Sequence, residues 1–199
     1  DRCVSLHDGD EKPDVIFVFM GTNDFSYHVD SNCEKCQILL NCSECTARED
    51  GNLNVCSKCR SISGIYSSFC NLPLGTADRV DVSRETPTSS CEAYAIMLSK
   101  MQAAYPDARI YCLGLLPRVN PYQSAVYHDH GQPTAFNAEL KKVAQNAGAT
   151  FIDLEQCVDN SAATWSTWFG DPVHPTAAGM DKIAKYVYEQ VGAWIDSNN

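Results

Sequence analysis

The chain has 199 residues, a formal net charge of −10 and an apolar share of 44%. That length makes one domain, or one domain with an insert. The scattered acidic charge argues against nucleic-acid or anionic-membrane partners, and no stretch approaches the roughly 18 apolar residues of a membrane span.

Residues 1–12 are mostly polar and read as a loop leading into the first strand. Val15 to Met20 is an unbroken apolar run. Its shortness and its β-branched and aromatic content predict a strand buried on both faces. The run stops at Gly21-Thr22-Asn23-Asp24. Open α/β sheets place their chemistry at strand ends of this kind, although the same four residues also make an ordinary turn.

A segment poor in apolar residues follows, holding six of the eleven cysteines. They form three pairs: Cys33-x-x-Cys36, Cys42-x-x-Cys45 and Cys56-x-x-Cys59. Two residues between thiolates let one tight turn aim both sulfurs at one ion. Nineteen residues separate Cys36 from Cys56, and ten separate Cys45 from Cys56. The longer spacing suits a zinc-ribbon-like site, so Cys33, Cys36, Cys56 and Cys59 are the first expectation for a structural zinc. Cys42 and Cys45 replace one of those pairs or join a second ion. His28 is a substitute ligand. The alternatives are a set of disulfides or reduced thiols. Zinc implies a reducing, cytoplasmic setting, and disulfides imply a secreted one. This insert is delimited as 30–70, between the two parts of an α/β domain, 1–29 and 71–199.

Regular structure resumes at Ser89 or Ser90, a predicted N-cap. Tyr94, Met97, Leu98 and Met101 then fall on one helical face, and Pro106 ends the helix. Ala108 to Leu116 predicts a second buried strand. After it, His128 and His130 form an H-x-H pair read as loop residues near a cleft mouth. Phe136, Leu140, Val143, Ala144 and Ala147 make the next helical stripe, stopped by Gly148. Thr150 to Leu154 is a third strand. A loop bearing Trp165, Trp168 and Phe169 supplies either a substrate wall or packing. The last helix places Met180, Ile183, Ala184, Val187, Val191, Trp194 and Ile195 on one face. Strands alternating with helices predict a three-layer α/β/α fold around a parallel sheet.

Just before that last helix lies Asp171-Pro172-Val173-His174-Pro175, followed by Gly179. An aspartate three residues before a histidine can hold one ring nitrogen and leave the other free to accept a proton. As a bland alternative, the aspartate caps the helix.

Together, Gly21-Thr22-Asn23-Asp24 and Asp171-x-x-His174-Pro175 resemble the third and fifth sequence blocks of the SGNH (GDSL-type) serine hydrolases. The resemblance covers residues 13–29 and about 72–196, and it implies a flavodoxin-like SGNH hydrolase fold. It implies an acyl or acetyl esterase or a lipase-like enzyme, with His174 as general base and Asp171 as its partner. Asn23 donates to the oxyanion, Gly21 permits close backbone approach and Asp24 braces the loop. No cofactor is implied for catalysis. The implied substrates are small-molecule, carbohydrate or lipid esters. The family's Gly-Asp-Ser block does not occur in the sequence; the nearest string, Asp8-Gly9-Asp10, lacks the serine. The expectation is therefore a Ser-His-Asp triad whose serine lies outside this chain, with the N-terminal part of the domain missing. An N-terminal fragment as a second chain, or a homodimer, then covers the first strand. The alternatives are a non-catalytic SGNH-like binding module, or a scaffold for a metal-binding interaction insert.

Overall fold

In a computed structural model of the chain, the structure describes residues 12–22, 25, 41–47, 53–59, 69–70, 72–118, 133–159, 161, 164–171 and 173–198. Three strands, β1 (Val15–Val18), β5 (Arg109–Leu113) and β6 (Thr150–Ile152), form a parallel sheet in the order β1-β5-β6. Three two-residue strands, β2 (Thr46–Ala47), β3 (Leu53–Asn54) and β4 (Phe69–Cys70), form a separate antiparallel sheet. The helices are α1 (Ser90–Ala104), α2 (Thr134–Asn146), α3 (Trp165–Trp168) and α4 (Ala177–Asn198). The parallel sheet with flanking helices is the three-layer architecture predicted from the alternation of elements.

Strand periodicity explains the two cores. Ile110 and Cys112 point to one face, where they pack with Ile16, Val18 and the apolar stripes of α1 and α2. Tyr111 and Leu113 point to the other, against Phe169 and against Ile183 and Val191 of α4. Leu98 of α1 is fully buried and Leu140 of α2 is 2% exposed, and burial of that extent contributes about 2–3 kcal/mol per side chain. The prediction for α4 needs correction at two positions. Met180 and Ala184 face solvent, because a 22-residue helix resting on three short strands buries a narrower stripe than seven apolar residues would fill.

The first strand also departs from expectation. Only Ile16 and Val18 of β1 are buried; Phe17 is 45% exposed, and Phe19 and Met20 beyond its end are 44% and 53% exposed. Phe17 stacks on Tyr111 of β5, with ring centroids 5.4 Å apart. Among the described residues β1 pairs along one edge alone, whereas β5 pairs along both edges and is buried on both faces.

α1 begins as the sequence suggests. The Glu92 N–H donates to Ser89 Oγ at 3.1 Å, so Ser89 is the N-cap. Glu92 itself is 2% exposed. Its carboxylate accepts from the Thr88 N–H and hydroxyl and from the Asp81 N–H, and it pairs with Arg84 at 3.3 Å. Burial pushes this carboxyl up, but those bonds and the Arg84 charge outweigh it and hold it below its ordinary value.

Candidate active site

The orientation of α4 sets where its N-terminus lies. Arg109, at the start of β5, sits 4.5 Å above the Trp194 ring, so the far end of α4 lies at the amino edge of the sheet. Ala177 is seventeen residues earlier, roughly 25 Å away at helical rise. The helix therefore starts at the carboxyl edge, beyond the strand ends, where β1 delivers Gly21.

Local bonding closes the loop ahead of α4. Phe169 and Pro175 form an antiparallel bridge, and the Gly170 N–H donates to the His174 carbonyl at 2.8 Å. Thr176 ties this loop to α3. Its N–H donates to the Trp168 carbonyl at 2.9 Å, and its hydroxyl donates to the Thr167 carbonyl at 2.7 Å. The same hydroxyl accepts from the Gly179 N–H at 3.1 Å, so Thr176 takes the capping role that Asp171 could have had. Gly179 has to be glycine: a Cβ there would lie 2.1 Å from the Trp168 carbonyl oxygen. The sequence offered Phe169 as a substrate wall or as packing; at 1% exposure it is packing.

Asp171 is then free for histidine. Its Oδ1 accepts from the Val173 and His174 N–H groups, each at 2.8 Å, and its Oδ2 lies 2.7 Å from His174 Nδ1. The His174 N–H, then that of Val173, holds this carboxyl below the usual carboxylate range. A carboxylate beside Nδ1 keeps the proton of neutral imidazole on that nitrogen. Nε2 is left as the acceptor, on a side chain that is 78% exposed.

At the end of β1, Gly21 has φ +106°, a conformation that side chains resist, and a Cβ there would lie 3.4–3.6 Å from Phe136, Leu115 and Leu140. The Thr22 carbonyl accepts from Arg118 Nη2 at 3.1 Å. Arg118 also lies 5.0 Å from the Phe25 ring, which meets Phe136 edge-on. Asn23 and Asp24, between these anchors, lie outside the described residues, as do His28, His128 and His130. A largely apolar cavity of about 290 Å³ opens beside Gly21, lined by Met20, Tyr94, Met97, Phe136 and Leu140.

Sequence reasoning missed one polar anchor of this edge. Asn137 of α2, 3% exposed, accepts from the Leu115 N–H at 2.7 Å and donates to the Leu115 carbonyl at 3.0 Å. It also donates to Glu155 Oε1 at 2.7 Å, and Thr134 donates to the other oxygen of that carboxylate. The ends of β5 and β6 are thereby clamped to α2. A polar residue three positions before Leu140 and seven before Ala144, within an apolar stripe, was the available signal.

The antiparallel sheet gathers cysteines. Thr46 is opposite Asn54, so Cys45 and Cys56 extend from adjacent strand ends and carry their Cys-x-x-Cys turns side by side. Sγ atoms of Cys42, Cys45, Cys56 and Cys59 all lie within 4.8 Å of one another, and all four are free thiols, so they could hold a metal ion. Cys33 and Cys36, the first expectation for one pair, lie outside the described residues; the pair that meets Cys56 and Cys59 here is Cys42 and Cys45. Hydrogen bonding from the Glu44 N–H brings the Cys42 thiol down to about 7, whereas the neighbouring Cys42 thiol pushes Cys59 up.

A model of the GDSL-like lipase/acylhydrolase family matches residues 5–182. No curated relative matches the chain. One solved structure shares 14% identity over 62% of this chain and 58% of its own, with a TM-score of 0.50. A protein from Lactobacillus plantarum shares 16% over 59% of this chain and 62% of its own, with a TM-score of 0.48. A structure described as a peptidoglycan O-acetylesterase in action shares 16% over 60% of this chain and 34% of its own, with a TM-score of 0.45. The likeness to the first of these, at 14% identity, speaks to the fold alone, and the chain spans 58% of its length.

Proposed function

The chain belongs to the GDSL-like lipase/acylhydrolase family, and from that membership we propose that it hydrolyses carboxylic esters through an acyl-serine intermediate, with His174 as general base and Asp171 as its orienting partner. The carrying observation is the Asp171–His174 pair, 2.7 Å apart on a loop closed at both ends. In this reading His174 Nε2 takes the serine proton as the serine oxygen attacks the ester carbonyl. The resulting imidazolium is stabilised by Asp171 and returns the proton to the departing alcohol oxygen. Water then repeats the sequence on the acyl-serine and releases the acid.

Asn23 is assigned to the developing oxyanion, where one such donor contributes roughly 3–4 kcal/mol. Gly21, held at positive φ, lets the backbone approach the substrate. The serine is placed outside residues 1–199, because none of them has the Gly-Asp-Ser context. Acetylated carbohydrate or lipid esters are the substrate classes, and the apolar cavity beside Gly21 suits the acyl part. The chemistry uses no cofactor and leaves the four cysteines outside the reaction.

The test is p-nitrophenyl acetate hydrolysis and fluorophosphonate labelling of the native protein. His174→Ala is expected to lower turnover about a thousandfold. The labelled serine is expected to map outside residues 1–199. Turnover indifferent to His174→Ala would remove the reading, and a native protein that neither labels nor turns over would be a binding module.

A further inference from the structure

We propose that Cys42, Cys45, Cys56 and Cys59 form a structural zinc site that folds the cysteine-bearing segment. Tetrahedral zinc binds thiolates at about 2.3 Å, which puts ligand sulfurs about 3.8 Å apart along each tetrahedron edge. Cys42 Sγ and Cys56 Sγ, from different turns, are 3.8 Å apart. That separation is far beyond the roughly 2.05 Å of a disulfide. Sulfurs that bind different irons of a multi-iron cluster would be spread wider than a set lying within 4.8 Å throughout.

The backbone around the set suits thiolates. The Cys56 N–H points to Cys45 Sγ at 3.5 Å, and the Cys59 N–H points to Cys56 Sγ at 3.4 Å. Such N–H bonds stabilise sulfur-borne charge in the second shell of a metal. The sheet carrying the turns has two residues in each strand, and its buried described side chains include only Val55 and Cys59 among the apolar ones. Three strands of two residues each are marginal by themselves, so the free energy of metal binding becomes folding free energy of this sheet. Four thiolates fill a tetrahedron and leave no position for water, so the ion is structural and not catalytic.

The experiment measures metal in the full chain, prepared without added metal and dialysed. About one zinc per chain is expected, with X-ray absorption showing four sulfurs at about 2.3 Å. Cys42→Ser with Cys59→Ser should lower the zinc content at least tenfold, and Cys33→Ser with Cys36→Ser should leave it unchanged. The spectrum of the unmutated protein carries the test if the first variant fails to fold. Mixed nitrogen and sulfur ligation, iron in place of zinc, disulfides among these four cysteines, or zinc lost with Cys33 and Cys36 alone would each overturn the assignment.

Discussion

Asp171 uses its two oxygens differently, and that makes its role separable from general packing. Asp171→Asn keeps an oxygen for the Val173 and His174 N–H groups but places an NH₂ against His174 Nδ1. The imidazole must then carry its proton on Nε2, where it cannot accept another. The expected result is a fall in kcat of about ten-thousandfold with the loop intact, read by kinetics alongside a melting temperature that falls only slightly. The carboxyl is depressed on folding, chiefly by the His174 N–H, so it favours the closed loop most fully above the unfolded carboxylate pKa of about 3.9. That contribution is lost as pH falls through the lower folded value. The Val173 amide resonance should therefore shift as the pH falls below about 4. Asn137 poses a different residue-scale question, since it satisfies both backbone groups of Leu115. Asn137→Ala would orphan a buried N–H and C=O and should cost about 3 kcal/mol, measured by denaturant unfolding.

At the scale of elements, the start of α4 is fixed by contact with α3. Trp168 meets Thr176 and Gly179 so closely that no Cβ fits at residue 179. Gly179→Ala forces α3 and α4 apart and disturbs the bridge that closes the His174 loop. The variant should lose both stability and turnover, and hydrogen exchange should show loss of protection at Thr176 before the core of α4. The motif Asp171-x-x-His174-Pro175 was readable because its bonds span three residues. The Trp168–Gly179 approach was not, because it depends on where one helix rests against another.

For the whole molecule, the two sheets answer to different forces. The parallel sheet is held between two apolar cores, and the antiparallel one by the four-cysteine cluster proposed as a zinc site. Chelation should therefore unfold the segment around β2 to β4 while leaving the α/β body intact. Hydrogen exchange after EDTA treatment is expected to show protection lost at Thr46–Ala47 and Leu53–Asn54 and kept at Arg109–Leu113. Simultaneous loss in both sheets would mean that the metal supports the entire fold.

The sequence alone determined what is encoded over short spans. Alternating strands and helices, a cap at Ser89 or Ser90, the stop at Gly148 and the Asp171–His174 spacing all follow from local periodicity, capping and bond reach. Tertiary structure decided what depends on strand register and neighbours. The β2–β3 register brought Cys45 beside Cys56, which pair spacing alone had left open. Placement between β1 and β6 made β5 the enclosed strand, although the apolar run of β1 reads the same way. Burial turned Glu92 and Asn137 from ordinary helix residues into the polar anchors of the loop before α1 and of the ends of β5 and β6. An apolar pattern reports that a residue belongs inside, but which partner it meets there is set by contacts far apart in the chain.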